Sequence, residues 1–292
     1  MHSDYMYACF GKIGSVIYAV TLSLLLCRCR PAPVQVVLKN PEGYNMRKAV
    51  QLKLPLELDE ISGVAYHPGD SSVFAINDEK GWLYKIKRGQ QIQTWKFSPG
   101  ADFEDVVLRD SAFYVLRSNG DIIRLSFNGT DQPTVQQFYF SEQGESKNEF
   151  EILYYDSTRA KLMLICKDCE MDKKKSLTAF TFDPASGKYT GSPFSINVQN
   201  IASAIGEEKM KFKPSAASIN PRNGLLYIIS AINKLIVVTD VNGNIKEVCH
   251  IDPGIFKQPE GISFTPAGGM IISNESADIG VADILFFPYF KK

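Results

Sequence analysis

A short phrase recurs along this chain: a Glu, an apolar strand, a turn and a second apolar strand. It reads Glu60-Ile-Ser-Gly-Val-Ala-Tyr66, Glu104-Asp-Val-Val-Leu108, Glu151-Ile-Leu-Tyr-Tyr155 and Glu260-Gly-Ile-Ser-Phe264. A fifth copy, Pro214-Ser215-Ala-Ala-Ser-Ile219, lines up with Pro259-Glu260 but carries Ser where the others carry Glu. Subtracting 60, 104, 151, 215 and 260 in turn gives spacings of 44, 47, 64 and 45 residues. Repeats of roughly 40–50 residues built only of short strands specify an all-β propeller. A propeller sets the same position of every blade around one axis. Glu60, Glu104, Glu151 and Glu260, far apart in sequence, are therefore expected in one ring.

Each repeat parses as strands bounded by turn residues, with Ser118-Asn-Gly120 and Val241-Asn-Gly243 as hairpin signals. The last repeat lacks an outer strand. Residues 49–54 alternate like the outer strands that precede the other repeats, so the N-terminal strand is expected to complete the last blade and close the ring. Closure removes an exposed sheet edge. The expected count is five four-stranded blades. Residues 198–211 break the period; Ile201 to Ile205, followed by Glu207, Glu208 and Lys209, reads as a short helix on a loop. A degenerate sixth blade is the alternative.

Innermost strands line the channel, and second strands return to the face where the inner ones start. Asp78, Glu79, Arg117, Lys167, Asp168, Asn274 and Glu275 should therefore join the Glu ring, with Ser215 and Lys213, as a ligand-binding mouth. Carboxylates facing one another repel unless something positive sits among them. Ca²⁺ suits such a site, taking six to eight oxygens in irregular geometry. The metal ligands expected are Glu60, Glu104, Glu151 and Glu260. Alternatively, Arg117 and Lys167 neutralise the ring internally and the charges only fix blade register.

The N-terminus has another character. An apolar run from Ile13 to Leu26 ends at Cys27. At 14 residues it is shorter than the roughly 20 a membrane span needs, and it suits a secretory signal. Leu24, three places before Cys27, fits a bacterial lipidation signal, whereas Leu26 stands where that signal has a small residue. The expected organisation is an export segment over 1–27 lipidated at Cys27, a tether over 28–46, and a propeller over 47–292. Cys166-Lys-Asp-Cys169 has no second Cys or His pair, which argues against zinc. It is a local disulfide or two free thiols. A formal net charge of zero argues against a general nucleic-acid surface.

Leu58-Asp-Glu-Ile-Ser-Gly63, Asp102-Phe-Glu-Asp105, Phe150-Glu-Ile152, Cys166-Lys-Asp168, Lys213-Pro-Ser215 and Gln258-Pro-Glu-Gly-Ile262 together resemble the SdiA-regulated family of β-propellers. Asn77-Asp-Glu and Gly81-Trp-Leu-Tyr84 fit the same pattern, and the signal with its Cys is similar to Bacteroidetes-like lipoprotein members. The resemblance implies a propeller of the broad phytase, lactonase and NHL-repeat kind, commonly with calcium in or near the channel. It implies no settled reaction. The expected function is an envelope protein, periplasmic or at the outer membrane or cell surface, that binds a small molecule or a protein partner at a Ca²⁺-occupied mouth. The alternative is a Ca²⁺-dependent hydrolase of esters, lactones or phosphoesters. No G-x-S-x-G or nucleophile–His pairing accompanies the acids.

Overall fold

The computed structural model describes residues 39–140, 148–276 and 281–290. The expectations placed on the export segment and on Cys27 lie outside the described residues. No helix among the described residues is long and apolar enough to cross a membrane.

The chain forms five antiparallel blades. The first comprises Ile61–His67, Ser72–Asn77, Trp82–Ile86 and Gln93–Lys96, and the second Phe103–Arg109, Ala112–Arg117, Ile122–Ser126 and Thr134–Phe138. In the third, Glu149–Asp156 and Lys161–Asp168 precede Ser176–Asp183, against which both Lys188–Tyr189 and Phe194–Asn197 pair. The fourth comprises Ala216–Ile219, Leu226–Ser230, Leu235–Thr239 and Ile245–His250. The fifth takes Pro259–Phe264, Met270–Asn274 and Asp283–Phe287 from the C-terminal end and Val50–Lys53 from the N-terminal end. Val50 pairs with Phe286 and Lys53 with Asp283, so the ring closes as the sequence pattern requires. Each inner strand packs against the inner strands of both neighbouring blades.

Blade faces explain the strand patterns. Every blade presents both faces to a neighbour, so its middle strands are apolar throughout rather than alternating. Ser72–Asn77 and Leu235–Thr239 are buried at every position, whereas the outer strand Thr134–Phe138 is mostly exposed. The core is correspondingly divided into five clusters, one between each pair of adjacent blades.

Two sequence boundaries move. The helix spans Val198–Ala204, three residues earlier than expected, because Asn197 caps it by accepting a hydrogen bond from Gln199 N at 2.8 Å. The stretch from 39 to 46, expected as tether, belongs to the folded domain. Tyr44 and Met46 are buried between blades 4 and 5. The Tyr44 hydroxyl donates to Gly268 O at 2.6 Å and accepts from Asn220 Nδ2 at 2.7 Å.

Candidate functional site at the channel mouth

The acids are positioned by a defect repeated in the inner strands. In the second blade Phe103 pairs with Arg117 and Asp105 with Leu116, which leaves Glu104 as the extra residue of a bulge. Glu151 is skipped in the same way between Phe150 and Ile152, and Glu260 between Pro259 and Gly261. A bulge bends its strand and re-aims the unpaired residue, here into the channel mouth.

The register corrects one sequence assignment. In the first blade Ile61 pairs with Asn77 and Val64 with Ala75, so Ser62, not Glu60, is the counterpart of Glu104. Ser215 occupies the same level in blade 4, where Ala216 pairs with Ile229. These serines brace blades instead of facing a ligand. Ser62 Oγ donates to Phe103 O at 2.9 Å and Ser215 Oγ to Pro259 O at 2.7 Å, each reaching the next blade. Glu60 belongs one level further out, with Asp102, Glu149, Lys213 and Gln258. The backbone marks that level: Asp78 N donates to Glu60 O, Ser118 N to Asp102 O and Glu275 N to Gln258 O.

The result is a two-level acidic mouth. Glu104, Glu151 and Glu260 form the inner level. Glu60, Asp102 and Glu149 form the outer one, joined by Asp78 and Glu275 from second-strand ends. Among the described residues, three lysines face these eight carboxyl groups: Lys167, Lys213 and Lys234. Lys167 pairs with Glu151, and its Nζ lies 3.0 Å from Glu149 Oε1. Burial works against charge on Lys167, yet those two carboxylates hold its ammonium above the ordinary lysine range.

One pairing does not neutralise the rest. Burial, and then the Glu151 charge, push Glu104 up to about 9 and Glu260 up to about 8. Glu275 rises to about 9 through burial and a shared hydrogen bond with Glu60, while Gln258 Nε2 donates to its other side. Asp78 rises to about 6 through burial and the Glu60 charge. At neutral pH the mouth thus retains protons on carboxyls that water would strip. Their oxygens do not gather in threes within 4.8 Å among the described residues.

Two other expected site residues, Arg117 and Asn274, are committed elsewhere. Arg117 turns back to Asp121 at 3.5 Å. Asn274 is buried, its Nδ2 donating to Ile255 O and to Asp283 Oδ1. Glu79 and Asp168 stay at the rim: Glu79 is exposed and its charge adds to the rise of Asp78, and Asp168 pairs in register with Glu149 and lines a small cleft with Lys167 and Lys213 between blades 3 and 4. Asp102, Glu149 and Gln258 escaped the sequence reading. Their signal was present: a polar residue stands two positions before each bulge residue, as in Asp102-x-Glu104, Glu149-x-Glu151 and Gln258-x-Glu260.

Of the two states open to the Cys166/Cys169 pair, the structure has the disulfide. With Asp172 they form the one close group of potential metal ligands among the described residues. The sulfurs are spent on each other, and the Asp172 carboxylate accepts from Ser176 Oγ, Thr178 N and Thr178 Oγ1. The bridge closes a tight loop around Lys167, the cation that holds Glu151. Cys166→Ser/Cys169→Ser is expected to cost about 2 kcal/mol through loop-closure entropy. Chemical denaturation of the oxidised protein and the variant checks this, and equal midpoints would contradict it.

Fold and site together define a five-bladed β-propeller with an acidic, proton-retaining channel mouth. The family profile described as SdiA-regulated matches residues 42–277, and the chain belongs to that family. No curated protein matches it. Among solved structures, a glutaminyl cyclase from Myxococcus xanthus is 14% identical over 83% of this chain and 98% of its own, with a TM-score of 0.54. A Thermus thermophilus putative oxidoreductase (glucose dehydrogenase) is 9% identical over 82% and 100%, with a TM-score of 0.50. Regucalcin of Agrobacterium tumefaciens, a calcium-binding protein, is 10% identical over 80% and 94%, at 0.47. Likeness at these identities is one of fold alone.

Proposed function

We propose that this protein is an exported, lipid-anchored binding protein of the cell envelope whose channel mouth takes up a cation, with Ca²⁺ the resident ion. The observation that carries the reading is the charge deficit among the described residues: eight carboxyl groups against three lysines, with Glu104 and Glu260 held protonated near neutrality. A divalent cation would replace those protons. The donors at the mouth are carboxylate oxygens and the Gln258 amide, a hard, all-oxygen set that fits Ca²⁺ rather than zinc. Glu104, Glu151 and Glu260 would hold the ion after their side chains turn inward, with Glu60 and Glu275 as outer ligands. Export and lipidation at Cys27 rest on the N-terminal signal pattern alone. The ligand is a small molecule or an envelope protein; the zero net charge speaks against nucleic acid.

The experiment is thermal unfolding in EDTA and then in Ca²⁺, with calorimetric titration. Ca²⁺ at a hundredfold over its dissociation constant stabilises by about 2.7 kcal/mol, a rise of roughly 5–10 °C for a domain of this size. Glu104→Gln/Glu260→Gln should abolish most of it. A wild-type protein with neither binding heat nor a shift would sink the metal reading and leave the lysines as the mouth's counterions.

A second reading has a specific observation behind it. Asp78, pushed up to about 6, has the basicity of a general base working near neutral pH. Beside a bound Ca²⁺ it suits hydrolysis of an ester, lactone or phosphoester. Turnover in a substrate screen with Ca²⁺ present, lost in Asp78→Asn, would favour hydrolysis over binding.

A further inference from the structure

Exposed apolar side chains stand on the mouth face from the entry of blade 3, through blades 4 and 5, to the entry of blade 1. Leu56 is 78% exposed, Tyr139 70%, Ile232 69%, Met171 61% and Val281 44%. Each sits in a connection from a second to a third strand, or from an outer strand to the next inner strand. Both kinds of connection lie at the end where inner strands begin, which is the mouth face. Five separate loops contribute one residue each, so the apolar groups form an open crown beside the acids, with its gap at blades 1 and 2. Singly exposed apolar residues need no explanation. A set distributed beside one charged opening is a different arrangement.

One further observation narrows the occupant. Leu56 and Val281 also wall a cleft of about 480 Å³ between blades 5 and 1, which Glu60, Glu275 and Gln258 line with polar groups. An apolar stem with a cationic tip matches that lining.

We propose that the mouth face docks a polypeptide that inserts a Lys or Arg side chain among the carboxyls while its flanking apolar residues cover the crown. This rests on the mouth being open to cations, as in the function proposed above, and names the partner. An anionic bilayer would meet like charge at the centre of this face.

The test is fluorescence polarisation of the purified full chain with a labelled peptide, Gly-Ser-Leu-Trp-Lys-Arg-Trp-Leu-Ser-Gly. Binding with a dissociation constant on the order of 10 µM is expected. It should weaken by about tenfold or more when Lys-Arg in the peptide becomes Glu-Glu, and likewise with Leu56→Ser/Ile232→Ser or Glu275→Gln in the protein. Val135→Ser, on an outer strand, should change nothing. No binding, equal binding of the Glu-Glu peptide, equal binding by the crown variant, or competition by phosphatidylcholine–phosphatidylglycerol vesicles would each overturn the proposal. The Ca²⁺ thermal shift is read on the same samples. An intact Ca²⁺ shift without peptide binding overturns docking alone; peptide binding without a Ca²⁺ shift overturns the metal reading alone.

Discussion

Metal-free protein is expected to lose stability steadily between pH 6 and pH 8.5, by on the order of 5–10 °C in Tm. The sign follows from the mouth. Glu104, Glu260, Glu275 and Asp78 all have folded pKa values raised above those of the unfolded chain, at about 9, 8, 9 and 6. In this window the native state therefore binds more protons than the unfolded state, and stability falls as pH rises. The contribution is fully present below the unfolded carboxyl pKa and disappears as pH passes through the folded values. Asp183 and Asp240, lowered to about 2 through hydrogen bonds, titrate far below the window and cannot mask the trend.

Two controls isolate the cause. Ca²⁺ binds the deprotonated mouth, so it should stabilise more at pH 8.5 than at pH 6. Glu104→Gln/Glu260→Gln/Glu275→Gln imitates the protonated acids and should flatten the pH profile while removing most of the Ca²⁺ response. Scanning calorimetry at several pH values in EDTA reads all of this. A profile that stays equally steep in the triple variant would place the proton uptake elsewhere.

Gly63→Ala should be among the most damaging small substitutions in the propeller ring. Gly63 lies where the inner strands of blades 1 and 2 meet. A Cβ there would come within 2.5 Å of Asp105 Oδ1 and of Val106 N, and 2.6 Å from Asp105 Cα. Backbone cannot yield as a side-chain tip can. Asp105 is itself fixed, accepting hydrogen bonds from its neighbour Val106 N at 2.8 Å and, across to blade 3, from Leu153 N at 2.9 Å. Overpacking of this kind costs about 3 kcal/mol, a fall of roughly 6–12 °C in Tm. Chemical denaturation of the purified variant measures it. A loss below about 1 kcal/mol would mean that the inner strands are less closely packed than this geometry requires.

The burial of Asp105 shows how blade contacts set chemistry. It accepts two backbone donors, which favour the charged form, yet full burial raises its pKa well above the carboxylate range. The same competition runs through the mouth. Lys167 lowers the pKa of Glu151, but burial is the larger effect and the carboxyl remains raised.

Much of the fold was legible because blade packing leaves a mark on every repeat. Middle strands buried on both faces must be continuously apolar, and inner strands must start with a polar residue at the channel mouth. Residues 49–54 betrayed the closing strand by alternating like the other outer strands. The site was legible at the level of doublets but not of individual residues. Glu60 looks like Glu104, since both precede an apolar strand. Only the pairing of Ile61 with Asn77 and Val64 with Ala75 shows that Ser62 occupies the bulge.

The sequence by itself determined the propeller class, the closure of the ring and the convergence of its acids at one mouth, and narrowed the blades to five or six. These follow from local periodicity, which each segment carries within itself. Tertiary structure decided which residue of each doublet is bulged into the channel, that Arg117 turns away to Asp121, and which carboxyls keep their protons. Register and desolvation depend on neighbours from other blades, and those neighbours are set only when the ring has closed.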